Sequence, residues 1–456
     1  MMDGMKDSGI RWIGTIPENW NTTRIKYVAN LKGRIGWQGL TSEEYQDEGA
    51  FLITGVDFLD GGIDWENCVH VPMKRWEEAK DIQIEEGDLL ITKDGTVGKV
   101  AIVKDMPGET SLNSGVLRIM PIEGYSRRFL YWVIQSEEFW NWFNYKNAGN
   151  STIIHLYQGD FAEFLYAFPD YAEQEAIADY LDKHCAKLDS IISDLELQTE
   201  TLQKYKKSLI TETVTKGLNK NAEMKDTGID CIKRIPKHWK ISKVKYLVDD
   251  SSVYPIGDGD HGLIQSDDYL TEGIPYLRVL NLTFGDGLNL DGIVYISKSM
   301  NAKIRNSQLK PGDLLIAKTG ATIGKTAIVP DNIPISNTTS HVGKITLPDN
   351  RDAKFFYYVL TSSVVQDQIQ DMSAMQSTRP ELGIEGIKNL RVVVPPLEEQ
   401  KHISAYLDKE IGKIDTVIKG KRNQLDKILM AKTATIYEYV TGKKRVKEAM
   451  QYANQS

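Results

Sequence analysis

With 456 residues, of which 41% are hydrophobic and 26% charged, the chain is longer than one core usually serves and apolar enough to fill two, which excludes wholesale disorder. A formal net charge of −8 argues at face value against nucleic acid, although binding needs only a local basic surface and partners can supply more. No apolar run approaches a membrane span, the opening MMDGMKDSG lacks a signal-peptide core, and Cys68, Cys185 and Cys231 lie far apart outside any CxxC pattern, so a cytoplasmic chain without disulfide frame or zinc site is expected.

From its start the chain announces a repeat. Lys6 to Tyr27 (KDSGIRWIGTIPENWNTTRIKY) returns as Lys225 to Tyr246 (KDTGIDCIKRIPKHWKISKVKY), with the same residue at 10 of 22 positions. Pro169 to Ile192 returns as Pro395 to Ile418 with 11 of 24. The offsets are 219 and 226 residues, so the copies stay nearly in register, while the segments between them match poorly. Two equivalent frames with different inserts suggest a molecule that reads two different things at a fixed separation.

Within the first insert, Glu86 to Val103 (EGDLLITKDGTVGKVAIV) reads as strand, Gly-rich turn and strand, with Asp94-Gly95 at the turn. Gly115 to Met120 reads as a further strand. Arg127 to Lys146 then reads as a helix whose Phe129, Trp132, Val133, Phe139, Trp142 and Phe143 recur at helical spacing, which assigns them to a core rather than to base stacking. The polar loop Asn150-Ser151-Thr152 precedes the second matched block, and its groups suit phosphate or base-edge contacts as well as a turn or cap.

From Glu173 to about Val214 the pattern is helical and would span roughly 60 Å at the helical rise. Ile177, Leu181, Leu188, Ile191, Leu195, Leu202, Tyr205 and Leu209 fit a heptad ladder if His184 and Gln198 fill the missing rungs. A helix of that length needs an equally long mate. The second copy supplies it, with Ile403, Leu407, Ile414, Val417, Leu425, Ile428 and Leu429, and polar interruptions at Glu410 and Lys421. An antiparallel pairing about a pseudo-twofold axis is the simplest arrangement, since each helix leaves its domain by the same junction.

The second insert mirrors the first. Pro311 to Val329 (PGDLLIAKTGATIGKTAIV) is the twin strand-loop-strand, Ala353 to Met372 is the twin helix with Phe355, Phe356, Val359, Leu360 and Ile369, and Ser377-Thr378-Arg379 is the twin polar loop. GATIGKT is not a phosphate-binding P-loop, because it has three residues rather than four between its glycines and a strand rather than a helix follows. The glycines instead permit a tight tip that carries Lys99 and Lys325. Near the end, Lys419 to Lys447 holds nine Lys or Arg against two acids, which fits a solvated helix face with a basic tail or a phosphate contact. HExxH, GxSxG and a Cys/His pair at nucleophile spacing are missing, and Pro395-Pro396 lack the preceding Asn or Asp of an amino-methyltransferase signature.

These features together, GDLLITKDGTVGK with GDLLIAKTGATIGK and FPDYAEQEAIADYLD with VPPLEEQKHISAYLD, make the chain resemble the specificity subunit of type I restriction-modification systems over essentially its whole length. The resemblance implies mixed α/β target recognition domains in two copies, joined by two long antiparallel coiled-coil helices with pseudo-twofold symmetry. Residues 1–168 would be the first recognition domain, 169–222 the first long helix and linker, 223–394 the second domain, and 395–456 the second helix and basic tail. It implies that each domain reads one half of a bipartite double-stranded DNA target and that the helices set the spacer and dock two methyltransferase subunits, with restriction subunits completing the enzyme. The chain itself would hold no cofactor, S-adenosylmethionine belonging to the modification subunit, and would do no chemistry. The acidic chain would then depend partly on its partners for phosphate neutralisation. Candidate DNA contacts are Lys93, Thr96, Lys99, Asn150, Ser151 and Thr152 in the first half, and Lys318, Thr319, Thr322, Lys325, Ser377, Thr378 and Arg379 in the second. Alternatives that the residues leave open are a two-headed coiled-coil scaffold for proteins, a hydrolase with an unfamiliar site, and a specificity subunit of another partner architecture.

Overall fold

A computed structural model describes residues 4–34, 40–148, 155–283, 287–374 and 380–446. The chain forms two compact units, one of residues 1–195 with 423–456 and the other of residues 196–422. The division does not fall at residue 222, between the sequence copies, because each long helix contributes its two parts to different units.

In the first unit Leu89–Thr92 is buried at every residue, and this short apolar run forms an inner strand. It lies between Val100–Ile102 and Val116–Pro121, with Ala29–Gly33 beyond, all antiparallel. A three-stranded sheet accompanies it, in which Ala50–Ile53 pairs parallel with Thr110–Leu112 and antiparallel with Val69–Val71. The second unit repeats both sheets. Thr326–Ile328, Leu314–Ala317, Val342–Ile345 and Ile256–Asp258 lie in the same order, and Ile274–Leu277 again sits between a parallel and an antiparallel partner. The poorly matched inserts therefore share one topology.

The helix expected over 127–146 is two helices, Arg127–Gln135 and Glu137–Lys146. Ser136 ends the first in an extended conformation, and its hydroxyl accepts from the Glu138 amide to start the second. Ser362, also extended, separates Ala353–Thr361 from Ser363–Ala374, and its hydroxyl donates to the Val359 carbonyl at 2.6 Å as that of Ser136 does to Val133 at 2.7 Å. A serine that competes for backbone hydrogen bonds is tolerated at a cap and not inside a helix, and the aromatic spacing on either side concealed that break. The aromatic residues themselves are core: Phe129, Trp132, Phe139, Trp142 and Phe143 are all buried, as are Phe355, Phe356 and Ile369.

The matched blocks turn out to be the joints between head and helix. Gln174 is buried, accepts from the Ser126 amide at 2.8 Å and donates to the Pro169 carbonyl at 3.0 Å. Gln400 does the same with Asp352 at 3.0 Å and Pro395 at 2.8 Å. Each glutamine thus ties the start of a long helix to the N-terminus of a head helix. Asp182 accepts from the Trp132 indole at 2.7 Å, and Asp408 from the Tyr358 hydroxyl at 2.8 Å. Trp20 and Trp239 are fully buried, one beside Gly442 and the other beside Gly217. Both glycines have positive φ, 72° and 75°, where a long helix ends.

Those endings form a third matching pair, Ile210 to Thr215 (ITETVT) and Ile436 to Thr441 (IYEYVT), too short to stand out from sequence alone. Ile436, Tyr439 and Val440 complete the first unit's core and Ile210 and Val214 the second's. Tyr437 donates to the Trp12 carbonyl at 3.0 Å, so the last turns of the second long helix close onto the first head.

The long helices are Tyr171–Lys216, 46 residues, and Leu397–Val440, 44 residues. In the first unit they run antiparallel, with Lys432 reaching Asp189 at 2.5 Å and Arg445 reaching Glu173 at 2.7 Å. In the second unit Lys206 reaches Asp415 at 2.6 Å and Lys421 donates to Gln198, again antiparallel. The seam corrects the expected one. Leu181, Leu188, Leu195, Leu202 and Leu209 lie inward as expected, but the alternate rungs are Cys185, Ile192, Thr199, Lys206 and Thr213. Ile191 is 44% exposed and Tyr205 56%, and on the other helix Val417 is 48% exposed while Ile411 and Ile418 are buried. Ile403, Leu407, Ile414, Leu425 and Ile428 hold their places. The apolar pairs Ile191-Ile192 and Val417-Ile418 allow either register. The polar rungs decide it, since Lys206, Lys421 and Lys432 each find an oxygen on the facing helix.

Candidate nucleic-acid interface

The central hairpin of each unit builds the candidate surface. In the first, the Thr92 hydroxyl accepts from the Lys99 amide at 3.0 Å and donates to the Thr96 carbonyl, which folds the tip tightly. Thr96 in turn donates to the Gly55 carbonyl at 3.0 Å. Gly98 has φ 86°, and a Cβ there would stand 2.6 Å from the Trp140 ring, so only glycine lets the tip rest on the helix behind it. Gly324 repeats this with φ 87° and a Cβ position 2.3 Å from the Gln366 amide. The repeated glycines are therefore needed for close packing.

Of the candidate contacts, Thr96 and Lys99 are exposed, and Lys93, Thr319, Thr322 and Lys325 are half-buried. The Lys99 ammonium comes within 3.5 Å of the Phe58 carbonyl. Thr322 donates to the Thr319 carbonyl at 2.8 Å, and Thr319 bonds the His341 imidazole at 3.1 Å. Lys318 differs from all of these. Its side chain is 4% exposed, and its ammonium stands 2.5 Å from Asp258 and 3.5 Å from Glu381. An ammonium committed to a buried carboxylate is a structural group, so Lys318 is an interior cation rather than the expected phosphate contact. Asn150, Ser151, Thr152, Ser377, Thr378 and Arg379 lie outside the described residues.

The basic stretch near the end is largely engaged as well. Lys443 donates to the carbonyls of Ile13 at 2.8 Å and Thr15 at 2.6 Å, and burial lowers its pKa. Lys444 pairs with Glu438 at 2.6 Å, and Arg445 with Glu173. Lys443 and Arg445, which also donates to Asn19 at 3.2 Å, fasten the segment after the second helix to the first head and the first helix, while the Lys444 pair lies within the second helix's own end.

Sequence reasoning missed the polar groups beside the hairpin tips. In the first unit His155 Nδ1 lies 2.6 Å from Asp94 Oδ1. In the second, His341 and Glu381 share a corner with Thr319, and His261, at φ 45°, places Nε2 3.1 Å from Asp258. Lone histidines on weakly patterned loops carry no periodic signal. A backbone bond from Leu156 to Lys93 brings 155 to 94, and the pairing of Leu314–Ala317 with Val342–Ile345 brings 341 to 319. Among the described residues no group of His, Cys, Asp or Glu is arranged to hold a metal ion, and no helix is long and apolar enough to cross a membrane. Burial pushes the Cys68 thiol up to about 12 and the Cys185 thiol up to about 11, far from the range of a reactive thiolate.

Two heads of one mixed α/β topology, each joined to the long helices by matching side chains and differing at the corner beside the hairpin, define a duplicated two-domain α/β protein with long antiparallel helices. Its sequence matches the type I restriction modification DNA specificity domain at residues 17–200 and again at 256–427, and the chain belongs to that family. It is 24% identical over 429 residues to the type I restriction enzyme EcoBI specificity subunit of Escherichia coli, covering 92% of this chain and 85% of that one. It is 26% identical over 445 residues to the putative type I restriction enzyme MjaX specificity subunit of Methanocaldococcus jannaschii, covering 95% and 96%. Among solved structures, a chain from a study of complex assembly and conformational transition in the type I R-M system superposes with a TM-score of 0.67 at 16% identity, over 94% of this chain and 99% of that one. That likeness establishes a shared fold.

Proposed function

We propose that the chain is a non-catalytic DNA-reading subunit in which each head recognises one half of a bipartite target. The long helices set the spacer between the halves and dock methyltransferase subunits, to which a restriction subunit can be added. The observation that carries this reading is the pair of heads with one topology and dissimilar surface loops, each tied to the long helices by the same glutamine, aspartate and tryptophan. A common frame with different loops suits a molecule that applies one docking geometry to two sequences. Double-stranded DNA is the ligand, and S-adenosylmethionine belongs to the partner.

In this reading Lys93, Thr96 and Lys99 face the backbone at one half-site and Thr319, Thr322 and Lys325 at the other. Each lysine that meets a phosphate contributes about one to the salt dependence of binding. The helices act as a ruler, and one B-DNA turn is about 34 Å. Inserting one heptad into both helices at facing positions lengthens the unread spacer and leaves both half-sites as they were. Sequencing of methylated bases in cells that carry the chain with its methyltransferase measures this directly, and altered half-sites with an unchanged spacer would refute the ruler. Exchange of residues 30–165 for those of a relative changes one half-site only, and a change in both would refute independent reading.

A further inference from the structure

We propose that base discrimination resides at the corner where the central strand ends, in Asp94 and His155 of the first head and in Thr319, His341 and Glu381 of the second. The proposal rests on the reading that each head meets DNA, and it names the residues that distinguish one sequence from another.

The backbone at this corner is the same in both heads. The Lys93 amide donates to the Gly115 carbonyl at 2.8 Å, and the Lys93 carbonyl accepts from the Leu156 amide at 2.9 Å. The Lys318 amide donates to the His341 carbonyl at 2.8 Å, and the Lys318 carbonyl accepts from the Leu382 amide at 2.8 Å. Asp94 therefore corresponds to Thr319, Gly115 to His341 and His155 to Glu381. None of these three pairs matches, although the lysine and leucine that hold the backbone do. A protein that reads two sequences with one scaffold has to change side chains at a constant place, and here three converging segments do so together.

The chemistry fits base edges. Asp94 and His155 are 41% and 38% exposed and bound to each other, so the imidazole is oriented through Nδ1 while its second nitrogen can donate or accept. A carboxylate accepts from the exocyclic amine of cytosine or adenine. In the second head the Thr319 hydroxyl and His341 imidazole are joined, and Glu381 is 46% exposed. Beneath them the buried Lys318 also donates to the Ser340 carbonyl at 3.1 Å, which fixes the loop that carries His341. Such a preset polar group loses little entropy on contact with DNA.

The test uses the full chain with its methyltransferase partner in a host without other DNA methylation, and maps the methylated sequences. For Asp94→Asn and for His155→Ala, preference at one or two base pairs of a single half-site falls about tenfold, while the other half-site and the spacer persist. For His341→Ala and Glu381→Gln the opposite half-site relaxes. Thermal unfolding of each variant chain shows that it is folded, and the second-head pair carries the test if a first-head variant is not. Motifs unchanged in all folded variants overturn the proposal, as does relaxation spread over both half-sites by one substitution. A wild-type complex that yields no two-part motif removes the functional reading and this proposal with it.

Discussion

At the joint between head and helix the two units use the same glutamine, aspartate and tryptophan, while at the corner beside the hairpin none of the three paired positions matches. Gln174 and Gln400 make matching bonds to a head helix and to the preceding proline, whereas Asp94 and Thr319 present unlike groups from one backbone position. A joint has one task, to hold a helix at a set angle, and a buried glutamine with its partners satisfied does that with little tolerance for change. A corner that faces a ligand is constrained by that ligand. The difference separates residues that build the frame from residues that use it.

Lys93 and Lys318 give the sharpest way to break the comparison, because they share a backbone position and differ in burial. Lys318→Met strands Asp258, itself 9% exposed, without its ammonium and costs about 3–5 kcal/mol in urea unfolding. Lys93→Met on a half-buried side chain stays within about 0.5 kcal/mol. Equal losses would show that the corners are built alike.

Glu138 and Val364 are a second mismatched pair, at the second residue of equivalent helices. Glu138 is fully buried, and burial raises its carboxyl pKa well above the ordinary 4.5, offset in part by the backbone of Ala167. The folded chain then binds this proton more tightly than the unfolded chain. Its contribution to stability is fully present below pH about 4.5 and declines as pH rises towards the raised folded value. Glu138→Leu removes that decline and gains about 1–3 kcal/mol at pH 8, read by unfolding at several pH values. A decline that persists in the variant would place the titrating group elsewhere.

The smallest effect separates the two clamps on the repeated aspartates. Arg128 reaches Asp182 at 2.6 Å, Asp179 at 2.7 Å and Glu175 at 3.2 Å, with its side chain 35% exposed. Among the described residues Lys354 pairs with Asp408 alone, at 2.6 Å, and is 61% exposed. Arg128→Ala costs about 1–2 kcal/mol and Lys354→Ala less than about 0.5 kcal/mol by the same unfolding measurement.

The helices, the hairpins and the core aromatics were legible because each leaves a periodic or local trace: heptads, a glycine turn between apolar runs, rings at helical spacing. Ser136 and Ser362 were not, since a cap breaks a helix without disturbing the apolar pattern around it. The seam was half legible. Every seventh leucine was placed, but Ile191 against Ile192 and Val417 against Ile418 are equal on hydrophobicity, and the choice falls to lysines that need an oxygen on the facing helix.

The sequence by itself determined that the chain is duplicated, that proline followed by Glu-Gln begins each long helix, and that no familiar catalytic motif is present. Tertiary structure alone decided that Lys318 is an interior cation, that the last turns of the second helix complete the first head, and that Asp94 meets His155. The physical reason is sequence separation. Periodicity reports what a residue does within its own element, whereas burial of a charge, closure of a core from residues 436–446 onto 10–20, and pairing of 94 with 155 depend on which distant segments the strands bring together.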